Sequence, residues 1–245
     1  DAIISIVLLK IAFPWNLLWY QLRWIDQLLS MDSIRWVSLL SKEYDNFERK
    51  TMSRILVTGG VGYIGSHTVV ELILDGYEVV IIDDLSNSQA EVIDRIEEIT
   101  GKKVALHIFD LCDKSLLDDF FRSEGSFDGI IHFAAKKAVG ESVEKPLLYY
   151  HVNILSLINL LQAQKDYSIP NFVFSSSCTV YGQPDKLPVS EETPRKDAES
   201  PYGNTKKISE DIIRDFAKVN PDKNTVALRY FNPVGAHDSG LIGEL

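Results

Sequence analysis

The sequence predicts an α/β fold with a doubly wound parallel sheet, and two observations lead to this prediction. Short apolar runs alternate with helical patterns from residue 54 to residue 230, and a glycine-rich turn follows the first of these runs. Alternating strands and helices build a parallel sheet with helices packed on both faces. In such sheets ligands bind at the carboxyl ends of the strands, so we expect a site at that edge.

The first strand, helix and second strand form one nucleotide-binding unit. The apolar run 54–58 is followed by Gly59, Gly62 and Gly65, then by a helical pattern, and a second apolar run over residues 77–82 leads directly into Asp83. The glycines permit a tight turn, close approach of a pyrophosphate and close packing of the helix, whose N-terminus attracts phosphate. Asp83 stands where a ribose-binding carboxylate is expected, and it would repel a 2′-phosphate. The unit therefore predicts a Rossmann-type fold that binds NAD rather than NADP.

The alternation continues after Asp83 and places chemistry-bearing residues at one edge of the sheet. Asp83, Asp110, Ala134, Ser177 and Asn232 each follow a predicted strand. Because parallel strands end at the same edge, these residues are expected to converge on one crevice. The later predicted strands span residues 104–109, 129–133, 171–175 and 225–230, and the later predicted helices span residues 114–123, 147–166 and 201–219.

A candidate acid/base pair lies on the helix predicted over residues 201–219. Tyr202 and Lys206 are four residues apart, so they share one face of that helix. A lysine ammonium favours the phenolate and is expected to lower the tyrosine pKa, which makes the tyrosine an acid/base at neutral pH. The Y-x-x-x-K pattern alone occurs by chance on many helices. Together with the glycine turn and with Ser177 upstream, it indicates a catalytic set.

Composition excludes several function classes. The formal net charge is −10, and residues 1–52 contain equal numbers of acidic and basic residues, so the excess negative charge follows residue 52. An acidic surface argues against nucleic acid as a partner. Cys112 and Cys178 have no paired spacing, and the five histidines form no H-E-x-x-H pattern. We therefore predict no disulfide framework, no metal site and a reduced, cytoplasmic setting.

The first fifty residues do not continue the pattern. Residues 3–22 are apolar but contain Lys10 and Pro14, so they provide no clean transmembrane span, and they lack the features of a secretory signal. One interpretation is an amphipathic helix that lies on a membrane or a partner. The other is that Met52 starts the catalytic domain, which leaves residues 1–51 as an extension or a mis-assigned upstream reading frame. The predicted domains are an N-terminal extension (1–51), an NAD-binding domain (52–235) and the start of a truncated substrate-binding domain (236–245).

From about residue 53 to residue 245 the chain resembles the extended short-chain dehydrogenases/reductases, and within them the UDP-glucose 4-epimerase family. The runs A-V-G-E-S and R-Y-F-N-P-V-G-A-H are much more specific than the glycine turn. The stretches that carry the resemblance are V-T-G-G-V-G-Y-I-G-S-H-T (57–68), I-H-F-A-A-K-K-A-V-G-E-S-V (131–143), K-P-L-L-Y-Y (145–150), F-S-S-S-C-T-V-Y-G (174–182), P-Y-G-N-T-K (201–206) and R-Y-F-N-P-V-G-A-H-D-S-G (229–240).

Three features depart from the family pattern. Lys136 stands before Lys137 where the family has leucine, which puts an unexpected charge beside the cofactor. Ser156-Leu157 replaces a Gly-Thr pair. Family members also continue beyond the point where this chain stops at Leu245, with residues that build most of the sugar-nucleotide pocket. The resemblance therefore implies an N-terminal fragment, and we expect it to bind NAD but to turn over UDP-galactose poorly.

The resemblance implies the interconversion of UDP-glucose and UDP-galactose, in galactose metabolism, by transient NAD-dependent oxidation at the sugar C4. Tyr202 would take the proton from the 4-hydroxyl while hydride passes from C4 to the nicotinamide. Lys206 would hold the phenolate and bond the nicotinamide ribose, and Ser177 would bond the 4-oxygen. Asn232 would lie near the substrate diphosphate. The implied substrate-binding residues are therefore Ser177, Tyr202 and Asn232.

The resemblance also implies a set of cofactor-binding residues and a homodimer whose small-molecule partner is a UDP-sugar. Asp110 would approach the adenine, and Lys137 and Phe231 would lie along the cofactor. The implied set lines the dinucleotide from end to end and comprises Gly59, Gly62, Tyr63, Ile64, Gly65, Asp83, Asp110, Leu111, Phe133, Ala134, Lys137 and Phe231.

Three other functions remain open at this stage. The first is a sugar-nucleotide dehydratase or decarboxylase of the same superfamily, although a dehydratase is expected to have T-D-E where this chain has Ser177, Cys178 and Thr179. The second is a non-catalytic NAD-binding protein. The third is a membrane-attached interaction protein that depends on residues 1–50.

Overall fold

The structure, a computed structural model, describes residues 53–244. The predictions for residues 1–51, for Met52 and for Leu245 lie outside the described residues. The described strands are β1 (Arg54–Thr58), β2 (Glu78–Asp83), β3 (Ala105–Ile108), β4 (Gly129–His132), β5 (Asn171–Ser177) and β6 (Asn224–Tyr230). The described helices are α1 (Tyr63–Leu74), α2 (Val92–Thr100), α3 (Lys114–Glu124), α4 (Val139–Glu144), α5 (Pro146–Asp166) and α6 (Pro201–Val219), and Cys178–Tyr181 forms a 3-10 helix.

The six strands form one sheet in the order β3-β2-β1-β4-β5-β6, and every paired strand runs parallel to its neighbour. The order reverses between β1 and β4, which is the switch point of a dinucleotide-binding α/β fold. The prediction of a doubly wound, Rossmann-type sheet is therefore confirmed. The carboxyl ends of β1, β2 and β4 lie side by side, because Thr58 is paired with both Ile82 and His132.

The interior strands are apolar because helices cover them. In β1 every residue after Arg54 is buried, as expected for a parallel strand with both faces covered. The main core joins side chains of β1, β2, β4 and β5 with those of α3, α5 and α6. Its fully buried members include Leu56, Phe121, Leu157 and Phe172. Helices α1 and α2 pack on each other, and α1 also packs on β1 and β2.

The ends of two helices follow from local sequence. Helix α6 begins at Pro201, and the side chain of Ser200 accepts a hydrogen bond from the Gly203 N–H at 3.1 Å. Helix α3 is capped by Asp113, whose carboxylate accepts from the N–H groups of the first turn. Asp110 caps no helix and instead accepts the Cys112 N–H at 2.8 Å. Among residues 53–244, no helix is both long and apolar enough to cross a membrane.

The predicted elements need correction at two strand ends near the site and at two short helices. Strand β5 continues to Ser177 rather than ending at residue 175, because Ser176 and Ser177 pair with Arg229 and Tyr230 of β6. This pairing uses backbone groups, so the run of serines does not interrupt it. Asp83 is the last residue of β2 rather than the first residue beyond it. Helices α2 and α4 were not predicted, since they are short and lie in polar stretches.

Candidate active site

A cleft of about 490 Å³ lies at the carboxyl ends of the strands, where the fold predicts a ligand. Every residue predicted for the cofactor, the substrate or catalysis lines this cleft. The glycine turn forms its floor, and residues from the ends of β2, β4, β5 and β6 form its walls. The lining residues predicted from sequence are Gly59, Gly62, Tyr63, Ile64, Gly65, Asp83, Asp110, Leu111, Phe133, Ala134, Lys137, Ser177, Tyr202, Lys206, Phe231 and Asn232. The individual roles of these residues stay predictions.

The glycine turn is packed so closely that side chains do not fit at two of its positions. Gly59 has a φ of +71°, and a Cβ there would lie 2.6 Å from the backbone nitrogen of Ala134. A Cβ on Gly65 would lie 2.1 Å from the carbonyl oxygen of Gly59. The turn therefore presents bare backbone at the start of α1, whose first N–H groups have no partner within the helix. Such a helix start is a ready anion-binding site.

We expect Gly65→Ala to destabilise the protein by about 1–3 kcal/mol, because the added methyl collides with the Gly59 carbonyl and forces the turn to move. Urea unfolding measures this loss. The matched control is Gly140→Ala in α4, where a Cβ meets no atom within 4 Å. Equal unfolding midpoints for the two variants would contradict the prediction.

Two carboxylates occupy the end of the cleft that was predicted for adenosine. Asp83 is only 7% exposed, and its Oδ1 accepts hydrogen bonds from the Leu85 N–H at 2.9 Å and the Ser88 hydroxyl at 2.8 Å. Its Oδ2 faces the glycine turn and accepts a longer bond from the Val61 N–H at 3.4 Å. The loop after β2 thus fixes the Asp83 carboxylate in place, while Asp110 is exposed.

Tyr202, Lys206 and Ser177 meet at the other end of the cleft. The side chain of Ser177, at the end of β5, is hydrogen-bonded to that of Tyr202 on α6. Lys206 is only 4% exposed, and its ammonium donates to the Ser175 carbonyl at 2.7 Å. The same ammonium lies 5.9 Å from the centre of the Tyr202 ring. The helix spacing therefore places the pair as the sequence predicted.

The predicted lowering of the tyrosine pKa is wrong for these residues alone. Burial raises the pKa of Tyr202, and the hydrogen bond with Ser177 only partly opposes this effect. Burial also lowers the pKa of Lys206 to about 8. The prediction for Tyr202 fails because the Lys206 ammonium donates to the Ser175 carbonyl rather than to the phenol. Burial of the phenol therefore determines the direction of its pKa shift.

We expect Lys206→Met to stabilise the protein below pH 8 by about 2 kcal/mol, the cost of the buried charge less one lost hydrogen bond. A lowered folded-state pKa means that the unfolded chain binds more protons between pH 8 and about 10.5. The stability of the unsubstituted protein therefore rises with pH across that window. The advantage of Lys206→Met should shrink across the same window, which urea unfolding at several pH values measures. A stability difference between Lys206→Met and the unsubstituted protein that stays constant with pH would contradict the lowered pKa of Lys206. The control is Lys114→Met, at an exposed lysine.

Two predicted cofactor residues lie at the open side of the cleft. The side chain of Lys137 is exposed, and its ammonium is 3.5 Å from a carboxylate oxygen of Glu244. Phe231 is 58% exposed, and its ring stacks on Tyr181 at a centroid distance of 6.5 Å. Tyr63, at the start of α1, donates its hydroxyl to the Gly235 carbonyl at 2.8 Å. The segment after β6 therefore closes one side of the cleft.

Several lining residues were not predicted. Ser86, Asn87 and Ser88 follow the acidic end of β2, and a run of small polar residues after the ribose carboxylate was the available signal. Thr179 and Tyr230 line the cleft, and their hydroxyls are buried and have no hydrogen-bond partner among residues 53–244. Buried polar groups normally have partners, so these two hydroxyls indicate a site for a polar ligand.

Residues 56–243 match the family model described as GDP-mannose 4,6 dehydratase. The chain belongs to this family. The match runs from β1 to the segment that closes the cleft, so it includes every predicted site residue.

Within the family, the chain is similar to UDP-glucose 4-epimerases. It is 53% identical over 194 residues to UDP-glucose 4-epimerase uge1 of Schizosaccharomyces pombe. This match covers 78% of this chain and 54% of that protein. It is 51% identical over 199 residues to UDP-glucose 4-epimerase of Caenorhabditis elegans, of which it covers 57%. The chain thus spans little more than half the length of these relatives. The predicted resemblance is confirmed over that part.

Solved structures give the same result. The UDP-glucose 4-epimerase from Bifidobacterium longum, in complex with NAD+ and UDP, matches with a TM-score of 0.76 and 47% identity. The match covers 78% of this chain and 57% of that chain. The enzyme from Stenotrophomonas maltophila, with bound NAD and formylated UDP-arabinopyranose, matches with the same TM-score and identity.

Proposed function

We propose that this chain is the nucleotide-binding part of an NAD-dependent enzyme of galactose metabolism that interconverts UDP-glucose and UDP-galactose. The observation that carries the proposal is the meeting of Ser177, Tyr202 and Lys206 in the same cleft as the glycine turn. The relatives that match this chain at 53% and 51% identity are UDP-glucose 4-epimerases. Because the chain spans only part of their length, the activity is proposed for the protein to which this part belongs.

The residues present fit a nicotinamide dinucleotide. The bare backbone of the glycine turn and the start of α1 suit a diphosphate, and Asp83 presents a fixed carboxylate for a ribose. The buried, unpartnered hydroxyls of Thr179 and Tyr230 offer further hydrogen bonds. When bound, such a group accepts a hydride from the sugar and returns it. The negative charge of the fixed Asp83 carboxylate would repel a 2′-phosphate, which favours NAD over NADP.

The chain's own residues supply proton transfer and orientation. Tyr202 is the acid/base in this proposal, and its phenol exchanges a proton with the sugar 4-hydroxyl. The Ser177 side chain is hydrogen-bonded to the same phenol, so it orients the oxygen and shares the proton. Because burial raises the pKa of Tyr202, a positive charge close to the phenol is needed to make it a base near neutral pH. Lys206 lies on the same helix face, but its ammonium donates to the Ser175 carbonyl and does not by itself lower the pKa of Tyr202.

The family model's description raises a dehydratase as the second candidate, and the site argues against it. A dehydratase is expected to have acidic residues beside the serine, but Ser177 is followed by Cys178 and Thr179. Among the described residues, the acidic side chains that line the cleft are Asp83, Asp84, Asp110 and Glu244, and none adjoins Ser177 in sequence. Glu210 is near β5, but both of its carboxylate oxygens are held by arginines.

The first test identifies the cofactor in the purified 245-residue chain. Denatured protein is expected to release NAD rather than NADP, which chromatography separates. Folded protein that releases no nucleotide, or releases NADP, would remove the basis for the cofactor.

The second test identifies the reaction in a protein that also carries the rest of the relatives' length. Conversion of UDP-galactose to UDP-glucose without added NAD is expected. Loss of water from GDP-mannose would instead establish the dehydratase.

A further inference from the structure

The side chain of Lys136 crosses the cleft. Lys136 belongs to the loop after β4, and its ammonium donates to the hydroxyl of Ser86, in the loop after β2, at 3.1 Å. Strand β1 lies between β2 and β4 and carries the glycine turn at its carboxyl end. The contact therefore joins the two loops that flank the glycine turn, and both residues line the cleft.

A buried asparagine fixes the backbone from which this side chain extends. Asn153 of α5 is only 3% exposed, and its Oδ1 accepts the Lys136 N–H at 2.8 Å. Its Nδ2 donates to the Lys136 carbonyl at 3.0 Å and to the Thr205 hydroxyl at 3.1 Å. Both backbone polar groups of Lys136 are thus held by one side chain, which is also tied to α6. The direction of the Lys136 side chain is therefore set by the buried structure.

The lysines of the cleft differ in whether their charges are paired. Three lysines line the cleft among residues 53–244. Lys137 is paired with Glu244, and Lys206 is buried against the Ser175 carbonyl. No carboxylate lies within 4 Å of the Lys136 ammonium in the described part of the chain. Three aspartates line the same end of the cleft, and the Lys136 ammonium, together with the start of α1, offsets their repulsion of an anionic ligand.

We infer that Lys136 is a dinucleotide-binding residue that retains the cofactor by spanning the cleft from the β4 loop to Ser86, over the glycine turn that holds the diphosphate. This inference rests on the proposed function, because it needs a dinucleotide in the cleft. The ammonium attracts the diphosphate, and its bond to Ser86 must open before the dinucleotide leaves. Lys136 therefore acts mainly on the rate at which the cofactor dissociates.

The test measures NAD dissociation from the 245-residue chain after mixing with excess NADH, whose fluorescence changes on binding. Lys136→Met keeps the length of the side chain and removes the charge, and it is expected to speed NAD dissociation about tenfold. Ser86→Ala removes only the anchor, and a smaller acceleration is expected. Lys136→Arg keeps the charge and should restore slow release. Lys114→Met, at an exposed lysine of α3 outside the cleft, is the matched control and should not change the rate.

The outcomes separate this inference from the proposed function. If the unsubstituted chain binds no NAD, the cofactor assignment fails and the inference fails with it. If the unsubstituted chain binds NAD and Lys136→Met releases it at the same rate, the inference alone is wrong. Equal acceleration by Lys114→Met would also overturn it, because the effect would then come from net charge rather than from the bridge. Circular dichroism of each variant confirms that it is folded.

Discussion

Replacing Tyr202 with phenylalanine is expected to lower UDP-galactose turnover by about a hundredfold or more, the scale of general acid/base catalysis. The substitution keeps the ring, which packs near Lys206, and deletes only the hydroxyl that exchanges the proton. Turnover is measured in a protein that also carries the remaining length of the relatives, while NAD binding is measured by titration. NAD binding should survive, because the glycine turn and Asp83 are unchanged.

A matched tyrosine distinguishes catalysis from support of the helix. The Tyr150 hydroxyl accepts a hydrogen bond from Asn204 of α6 at 2.7 Å, but Tyr150 does not line the cleft. Tyr150→Phe therefore removes a hydroxyl bonded to the same helix turn, and its turnover should remain within a few-fold of the unsubstituted protein. Near-normal turnover in Tyr202→Phe, or an equal loss in both variants, would show that Tyr202 is not the acid/base.

The sequence was sufficient for the sheet because the information is local and repeated. Strand β1 and helix α6 have the predicted bounds, since an apolar run and a capped amphipathic pattern identify them without distant partners. The end of β5 could not be predicted in the same way. Ser176 and Ser177 look like loop residues, and only their backbone pairing with β6 makes them part of the strand. That pairing joins residues more than fifty positions apart, so no local pattern reports it.

The site residues, like the strands, were predictable where a local pattern defines them and not where distant contacts do. The glycine turn, Asp83 and the Tyr202–Lys206 spacing are motifs that a short window contains. The pKa of Tyr202 was predicted with the wrong sign, because the sequence does not show how deeply the phenol is buried or which acceptor the lysine takes. The Lys136 bridge depends on Asn153 and Ser86, which come from different elements. In the sequence, the only sign of this bridge was a lysine at position 136, where the family has leucine.

A buried ion network behind the site was also invisible to sequence reasoning. Glu210 lies one turn after Lys206 on α6, and its carboxylate accepts the Ser176 hydroxyl at 2.6 Å. It also accepts two bonds from Arg229 of β6, at 2.9 and 2.8 Å, and one from Arg195 at 3.3 Å. Arg229 further donates to the Tyr181 hydroxyl at 3.0 Å. The network therefore connects α6, β5 and β6 directly behind Ser177.

Burial tends to raise the pKa of Glu210, but the hydrogen bonds from Arg229 and Ser176 and the charges of the two arginines outweigh it and leave the pKa lowered. A lowered folded-state pKa means that the carboxylate stabilises the protein at neutral pH, and that this contribution is lost as the pH falls below about 4.5. At neutral pH the group is charged, and so are its partners.

Glu210→Ala is expected to destabilise the protein by about 3–5 kcal/mol at pH 7, because it leaves partly buried guanidinium groups without a counter-charge. Urea unfolding measures the loss. Its size should decrease as the pH falls below about 4.5, because the unfolded chain then binds a proton that the folded Glu210 carboxylate does not. Asp215→Ala, which breaks an exposed pair with Lys218 on the same helix, is the control and should change stability little.

A further variant separates the charge from the packing. If the loss comes from unpaired arginine, then replacing Glu210 and Arg229 together with apolar residues of similar size should cost less than Glu210→Ala alone. If the two costs simply add, the carboxylate is only a packing element, and the network does not hold β5 and α6 together. In the first case the double variant should keep its stability yet lose the fixed position of Ser176, so NAD binding should persist while turnover falls. In that case the double variant would lose turnover without a matching loss of folding free energy.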